Sequence, residues 1–154
     1  MERTLVLLKP DAVQRGLVGA IVSRFENKGL KLVGLRMEVF GRDVLERHYA
    51  VHKERPFFNN LVEFMGSGPV VALALAGKDA IAVTRNLMGA TNAREAAPGT
   101  IRGDYGMSFS NNLVHGSDSA ESAATELDIF FGGQTIDWEP ADLEWRYSVK
   151  EELA

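Results

Sequence analysis

The sequence predicts an α+β sandwich in which helices pack over one sheet. Apolar runs typical of strands alternate with segments of helical periodicity, in the order strand, helix, strand, helices, strand, helix, strand, helix. The run Val70 to Ala76 is apolar at every position, as expected of a central strand covered on both faces. The chain has 154 residues, 45% of them hydrophobic, which is enough for one compact core. We therefore expect a single domain spanning residues 1 to 154.

The chain begins with a strand and a helix. Thr4 to Leu8 is apolar and ends before Pro10, whose nitrogen cannot donate to a strand ladder. Apolar residues then recur every four positions, which predicts a helix that buries Val13, Leu17, Ile21 and Phe25. Lys28 and Gly29 mark the end of that helix.

A second strand and a helical hairpin come next. Leu30 to Phe40 alternates on either side of a break near Gly34. Asp43 is predicted to cap a short helix that carries His48. Pro56 to Gly66 should form the next helix, because proline is well tolerated in a first turn.

The second half continues with a helix and a long connection. Asp79 to Met88 has a helical pattern that would turn Ile81, Val83 and Leu87 inward. The following stretch, Gly89 to Asn112, is interrupted by Pro98 and several glycines. Connections of this length without regular structure are usually functional, so we expect a loop that serves the site.

A brief strand and a last helix complete the predicted core. Leu113 to His115 is the strand, and Asp118 with Glu121 forms a capping-box pattern before the helix. That helix should bury Ala123, Ala124, Leu127, Phe130 and Phe131. From Gly132 onward the chain looks like an arm that leaves the core.

Composition excludes several classes of protein. The net charge is −4 and no cluster of Lys and Arg stands out, so we expect no nucleic-acid partner. Cysteine is absent, which excludes disulfides, cysteine-based zinc sites and thiol catalysis and fits a reducing, cytoplasmic compartment. The start lacks the apolar run of a signal peptide, and the longest apolar stretch, Pro69 to Ala76, is shorter than the ~20 residues of a membrane span.

The histidines are few enough to weigh one by one. His48 and His52 are four residues apart, a spacing that can hold a metal on a helix, but no carboxylate or third histidine is an evident partner. His115 lies just before a predicted helix N-terminus, where free backbone N–H groups favour an anion. Spacing alone leaves a structural and a catalytic role equally open for His115.

Two enzyme classes with recognisable motifs are disfavoured. Ser117 lies beside His115 but lacks the G-x-S-x-G elbow of many acyl-transfer enzymes, and Ser117 and Ser119 suit helix capping. Gly77 and Lys78 lack the upstream glycine of a Walker loop. A nucleotide would have to be held in another way, and the candidate cations for its phosphates are Lys9, Arg85 and Arg102.

The motifs along the chain resemble those of the nucleoside diphosphate kinases in order and spacing. His-Gly-Ser-Asp-Ser at positions 115 to 119 is similar to the active-site signature of that family. Further matching segments cover nearly the whole chain: Lys9 to Asp11, Gln14 to Gly19, Arg55 to Phe58, Ser67 to Val70, Met88 to Asn92 and Pro98 to Asp104. The departures are Ala12, where many members have glycine, and Asn111, where many have arginine.

The resemblance implies a fold, a reaction and a set of residues. The fold would be ferredoxin-like, with a four-stranded antiparallel sheet and helices packed over it. His115 would take the γ-phosphoryl group of a nucleoside triphosphate and pass it to a diphosphate, a ping-pong reaction with broad base specificity and with Mg²⁺ carried mainly by the nucleotide. Phosphate contacts would come from Lys9, Arg85, Thr91 and Arg102, sugar contacts from Lys9 and Asn112, base stacking from Phe57, orientation of the histidine from Glu126 and Ser117, and a contact near the incoming phosphate from Tyr49.

Assembly is the last expectation from the sequence. The tail from Gly132 carries Trp138, Trp145 and Tyr147, more aromatic side chains than free tails usually have. By resemblance to long-tailed members of the family, we expect a homo-oligomer, a hexamer rather than a tetramer, in which the tail packs on a neighbouring subunit. A tail folded back on its own subunit is the alternative.

Two other functions remain open at this point. A binding or regulatory protein could keep the fold without catalysis, but it would be expected to lose His115 or the phosphate cations. A metal-binding protein could use His48 and His52.

Overall fold

The computed structural model describes residues 1 to 153, and within them a four-stranded antiparallel sheet has the order β2-β3-β1-β4. The strands are β1 (Glu2–Leu8), β2 (Lys31–Glu38), β3 (Val70–Gly77) and β4 (Val114–Gly116). The helices are α1 (Pro10–Gln14), α2 (Val18–Lys28), α3 (Arg42–His48), α4 (Phe58–Met65), α5 (Ala80–Met88), α6 (Ile101–Tyr105), α7 (Ala120–Phe131), α8 (Leu143–Arg146) and α9 (Val149–Glu152). A 3₁₀ turn, Ala50–His52, joins α3 to α4.

Both faces of the sheet are covered by helices, which confirms the predicted α+β sandwich. Alternate residues of β1 enter different cores, because side chains of a strand point to opposite faces. Leu5 and Leu7 pack with α3, α4 and α7, whereas Val6 and Leu8 pack with α1, α2 and α5. Every residue of β3 is buried, as predicted for Val70 to Ala76.

The first predicted helix is two helices. The chain leaves the helical conformation after Gln14 and resumes it at Val18, and Gly16 between them has a φ of 68°. Glycine adopts this left-handed conformation without the steric cost of a Cβ atom, so the glycine breaks the helix that the four-residue periodicity had carried across it. The predicted end at Gly29 is correct, with a φ of 108°.

Three predicted helix starts were wrong. Gly41, not Asp43, is the N-cap of α3, and α4 begins at Phe58, after Pro56. The N-cap of α7 is Ser119, whose side chain accepts a hydrogen bond from the Ser122 amide, so the predicted capping box is one residue out of register. A side-chain cap satisfies amides that have no partner in the first turn, and several neighbouring residues here have the required oxygen.

Two other details differ from the sequence pattern, and a third agrees with it. Ala124 is exposed on α7, although Phe130 and Phe131 are buried as predicted. The long connection from Gly89 to Asn112 contains the short helix α6. The predicted break near Gly34 is present as a register shift between β2 and β3.

The tail contacts its own chain along β2 and the end of β3. The Trp138 indole donates to the Leu32 carbonyl over 2.9 Å, and the Lys78 amide donates to the Tyr147 hydroxyl over 3.2 Å. Trp145 contrasts with these two rings, because 85% of it is exposed. The tail thus has one surface fixed to its own chain and one that is uncovered. No helix within residues 1 to 153 is long and apolar enough to span a membrane.

Candidate active site

His115 lies in β4, an edge strand, opposite Leu7 of β1. The next residue, Gly116, packs closely on α5, since a Cβ atom there would lie 2.5 Å from the sulfur of Met88. The Gly116 carbonyl also accepts a hydrogen bond from Arg85 over 3.1 Å. Close packing between β4 and α5 therefore brings the histidine and this arginine into one site.

Leu113, two residues before the histidine, has a strained backbone. Its φ is 75°, a conformation that non-glycine residues rarely adopt. Hydrogen bonds on both sides hold this conformation. The Leu113 amide donates to the Asp11 carboxylate over 3.0 Å, and the Leu113 carbonyl accepts from the Lys9 amide over 2.8 Å. Such strain is typical of functional sites. Here it turns the chain between Asn112 and His115.

The His115 ring is oriented by a carboxylate on α7. Its Nε2 lies 2.9 and 3.1 Å from the two carboxylate oxygens of Glu126. The Ser117 hydroxyl, which is fully buried, donates to the same carboxylate over 3.0 Å. An ionised carboxylate only accepts hydrogen bonds, so Nε2 carries the proton in this pairing and the lone pair lies on Nδ1.

Aromatic rings form one wall of the site. The His48 ring meets the His115 ring edge to face, with centroids 4.7 Å apart, and its other neighbours are Tyr49 and Phe130. Burial lowers the pKa of His48 to about 3, helped by the neighbouring His115. Burial also raises the pKa of Tyr49 far above its usual range, so both groups are neutral at pH 7.

A chain of polar side chains forms the floor. The Lys9 ammonium donates to the Asn112 side-chain oxygen over 2.7 Å, and the Asn112 amide group donates to the Thr91 carbonyl over 3.0 Å. Lys9 is only 9% exposed. Burial lowers the pKa of Lys9 to about 8, with Arg102 adding to the effect and Asp11 opposing it.

The two candidate arginines differ in burial, because Arg85 is exposed and Arg102 is not. Arg102 is buried and donates to the carbonyls of Gly89, Asn112 and Val114 over 2.9, 3.2 and 2.7 Å. Burial lowers the pKa of Arg102 to about 10, and the charge of Arg85 adds to this effect. A guanidinium has five N–H donors, so Arg102 keeps capacity for an anion beyond its three carbonyl bonds.

Most of the predicted site residues line one open cleft of ≈ 350 Å³. It is lined by Lys9, Tyr49, Arg85, Thr91, Arg102, Asn112, His115 and Glu126, and Ser117 lies behind it against Glu126. Phe57 lines an adjoining, more apolar cleft of ≈ 610 Å³ that shares Lys9 and Asn112 with the first. The two clefts together form a groove that is cationic at one end and aromatic at the other.

Sequence reasoning missed four residues that shape this site. The sequence pattern relates His48 only to His52, and it indicates no role for Asp11 or Leu113. Asp118 lines the cleft instead of capping α7, and a hydrogen bond from Ser122 together with the charge of Arg85 lowers the pKa of Asp118. The Lys-Pro-Asp segment was visible in the sequence, but the contact between Asp11 and Leu113 joins positions too distant in sequence to be predicted from local pattern.

The arrangement suits transfer of an anionic group through a nucleophilic imidazole. The carboxylate holds the ring in one tautomer, and cations that converge on the cleft can neutralise phosphate charge. Both requirements of phosphoryl transfer, alignment and charge neutralisation, are thus present in side chains that the fold already fixes.

Comparisons with known proteins identify the relatives of this chain. A family model described as nucleoside diphosphate kinase matches residues 2 to 136. The chain is 54% identical over 151 residues to a nucleoside diphosphate kinase of Archaeoglobus fulgidus, and the match covers 97% of this chain and 100% of the relative. It is 55% identical over 148 residues to the enzyme of a Picosynechococcus species, with 96% and 99% covered.

Solved structures agree with these matches. A halophilic nucleoside diphosphate kinase from Halobacterium salinarum, in complex with CDP, superposes with a TM-score of 0.91 at 48% identity, covering 95% of this chain and 98% of that one. A nucleoside diphosphate kinase family protein from Babesia bovis superposes with a TM-score of 0.93 at 47% identity, covering 96% and 100%. The fold of these neighbours is the ferredoxin-like α+β fold predicted from the sequence.

Proposed function

Because this chain belongs to the nucleoside diphosphate kinase family, we propose that His115 is the residue that carries the phosphoryl group. The chain is a phosphotransferase that moves the γ-phosphoryl group of a nucleoside triphosphate to a nucleoside diphosphate by a ping-pong mechanism. The observation that supports His115 is its bond from Nε2 to Glu126, which leaves the Nδ1 lone pair free to react.

In the first half-reaction, Nδ1 of His115 attacks the γ-phosphorus. A nitrogen–phosphorus bond forms, the bond from phosphorus to the bridging oxygen breaks, and the diphosphate leaves. The positive charge that develops on the imidazole is stabilised by the Glu126 carboxylate against Nε2. An oxygen of the acceptor diphosphate then attacks the phosphohistidine in the reverse geometry, which regenerates His115.

The remaining site residues bind and orient the nucleotide in this proposal. Lys9, Arg85, Thr91 and Arg102 contact the phosphates, Lys9 and Asn112 reach the sugar hydroxyls, and Tyr49 lies near the incoming phosphate. Phe57 stacks on the base, and ring stacking accepts any base because each has a π-face. What supports these assignments is that the two adjoining clefts place a cationic end and an aromatic end in one groove.

Mg²⁺ enters the proposal as part of the nucleotide. Among the described residues, the carboxylates that line the catalytic cleft are Asp118 and Glu126, and the same cleft is lined by Lys9, Arg85 and Arg102. Magnesium prefers six oxygen ligands and is commonly held by substrate phosphates with few protein groups. The side chains here therefore suit a nucleotide that carries its own Mg²⁺, which would neutralise phosphate charge during transfer. A cytoplasmic location stays a prediction, with which the absence of cysteine is compatible.

The phosphoenzyme is the direct test of His115. The chain is incubated with ATP labelled in the γ-phosphate, quenched in base and separated from nucleotide. We expect label on the chain that is stable in base, lost in acid and discharged by unlabelled GDP. Label that survives acid, or a chain without label, would contradict a phosphohistidine intermediate.

We further propose a homo-oligomer, and a hexamer in preference to a tetramer. Support comes from apolar surface that a single chain leaves uncovered: Trp145 is 85% exposed, Leu35 and Met37 on the edge strand β2 are each more than half exposed, and so is Val39 just after that strand. An exposed apolar edge strand is a ready site for association. The tail, although fixed to its own subunit through Trp138, would present Trp145 to a neighbour.

Light scattering at low micromolar concentration measures the assembly directly. We expect a mass near that of six chains, and a mass of one or two chains would contradict the proposal. Trp145→Ala removes a ring that touches little of its own chain, so it should lower the thermal stability of the assembly only if a neighbour covers that ring.

A further inference from the structure

Three side chains that could bind a metal ion lie close together in the cleft, and the proposed catalytic histidine is one of them. Within residues 1 to 153, His48, His115 and Glu126 form the one such group, and their ligand atoms all lie within 4.8 Å of one another. We propose that this trio binds a divalent transition-metal ion, best represented by Zn²⁺, and that the bound ion blocks phosphorylation of His115.

His48 supplies the observation that points to a ligand. Both of its ring nitrogens are shielded from solvent and have no hydrogen-bond partner. A neutral imidazole has a lone pair on one ring nitrogen, and leaving such a polar atom buried and unpaired is unfavourable. The phosphoryl transfer described above does not use this nitrogen. A metal ion between His48 and His115 would give the lone pair a bond.

The partner of His48 differs from the one that sequence spacing suggested. The His52 ring packs near Phe57, with centroids 5.3 Å apart, and His52 is not a member of the group. His48 instead faces His115, with ring centroids 4.7 Å apart. The candidate metal ligands are therefore not the neighbouring pair His48 and His52. They are three residues from different elements, α3, β4 and α7.

The chemistry of the donors selects the ion. Two imidazoles and one carboxylate form a common three-ligand set for zinc, which leaves a fourth position for water or a substrate oxygen. That position would face the open cleft. Zinc lies ~2.0 to 2.2 Å from such ligands, so rotation of the side chains has to bring the donors closer together. Mg²⁺ prefers oxygen ligands in octahedral geometry and would not compete well here.

Inhibition follows from the atoms that the ion would use. Bonding at Nδ1 of His115 would occupy the nucleophile, and bonding at Nε2 would withdraw electron density from the ring and break its pairing with Glu126. This consequence rests on the role proposed for His115, whereas metal binding itself does not. The two can therefore be tested separately.

Binding is measured without nucleotide, on chain freed of phosphate by prior incubation with ADP. Co²⁺ serves as a spectroscopic substitute for Zn²⁺, and Zn²⁺ affinity is measured by competition with a chromogenic chelator. We expect one ion per chain and visible Co²⁺ bands typical of four or five ligands. If the unmodified chain gives no such bands and no stoichiometric Zn²⁺ binding, the site does not exist.

His48→Phe and His52→Phe are the matched variants. Phenylalanine keeps the ring contacts of His48 with Tyr49 and Phe130 but removes both nitrogens. His48→Phe should weaken Zn²⁺ binding at least about tenfold, since even indirect contacts of metal sites contribute that much, and His52→Phe should not. Equal affinity in His48→Phe and the unmodified chain would overturn the proposal, with circular dichroism confirming that each variant is folded.

An exchange assay with buffered Zn²⁺ and Mg²⁺ in excess then tests inhibition. The unmodified chain and His52→Phe should be inhibited and recover with a zinc chelator, whereas His48→Phe should resist. Stoichiometric binding without inhibition would overturn the blocking effect. If the chain incubated with labelled ATP carries no acid-labile label, the role of His115 is contradicted, but the result on metal binding still holds.

Discussion

The two ends of the groove that we propose holds the nucleotide are built in opposite ways. At the proposed phosphate end, Lys9, Arg102 and Asn112 are nearly inaccessible to solvent and are fixed by hydrogen bonds. At the proposed base end, Phe57 is 48% exposed and Phe109 is 58% exposed, and the cleft that they line is the larger one, at ≈ 610 Å³.

The contrast separates catalysis from recognition. Fixed dipoles and charges lower the barrier to phosphoryl transfer because they need not reorganise as charge develops. Exposed rings offer a flat surface without donors and acceptors arranged for one base edge, so they stabilise any base to a similar extent. We therefore expect changes at the phosphate end to affect the rate of transfer and changes at the base end to affect binding.

His115→Gln should have the largest effect of all. Glutamine preserves polarity but cannot form the phosphoenzyme, so exchange should fall by at least about three orders of magnitude, as expected when a covalent nucleophile is removed. Steady-state exchange and phosphoenzyme formation are measured together, with thermal unfolding as the check on the fold. Substantial residual exchange would mean that another group carries the phosphoryl.

Arg102→Ala should reduce kcat/KM by about two to three orders of magnitude, because one buried electrostatic donor is typically equivalent to ~3 to 4 kcal/mol in the transition state. It should also lower the melting temperature, since Arg102 bonds three backbone carbonyls. Arg94→Ala is the control, an exposed arginine in the same connection that bonds the Met107 carbonyl. Similar losses of kcat/KM in both variants would contradict a specific role of Arg102 in the transition state.

How far the sequence predicts this site depends on the range of the contacts. The strands and the two-sided core follow from apolar periodicity, and the clustering of His115 with Lys9, Arg85 and Arg102 follows from the motifs of the family. The break at Gly16 and the cap at Ser119 do not, because a four-residue stripe continues across a left-handed glycine and three neighbouring residues can cap equally well.

Contacts between distant positions account for what the sequence left undetermined. The strained turn at Leu113 depends on Asp11, and the environment of His48 depends on Phe130 and His115. Each of these pairs joins segments that are far apart in the sequence. Periodicity reports which face of an element is apolar, but it does not report which polar atoms of other elements meet there.

At the base end, Phe57→Ala should raise KM for all nucleotides by about tenfold while changing kcat little, since stacking is equivalent to ~1 to 3 kcal/mol per base. In the unmodified chain, ATP, GTP, CTP and UTP should differ as donors by less than about tenfold, because the ring face does not distinguish base edges. Phe64→Ala in the same cleft serves as the control for general loss of apolar surface. A loss confined to one base would show selective recognition.

The smallest effect expected is a pH dependence that originates at Lys9. Burial lowers its pKa to about 8, so the free enzyme loses this positive charge as the pH rises through 8. Since kcat/KM reports the free enzyme, it should fall about fourfold between pH 7 and 8.5 from this group. Lys9→Arg keeps its charge throughout this range, so its kcat/KM should be lower at neutral pH but flat.

The same group changes stability in the opposite direction. Because the folded pKa of Lys9 lies below the ordinary value of 10.5, the unfolded chain binds more protons between about pH 8 and 10.5, and the contribution of Lys9 to stability rises with pH there. Denaturant unfolding is measured at pH 7.5 and 9.5 for the unmodified chain and for Lys9→Arg. The difference between the two proteins separates the contribution of Lys9 to stability from that of other titrating groups. A fall in kcat/KM together with a relative gain in stability of the unmodified chain would assign both to one buried ammonium, whereas equal pH profiles in the two proteins would exclude Lys9 as their source.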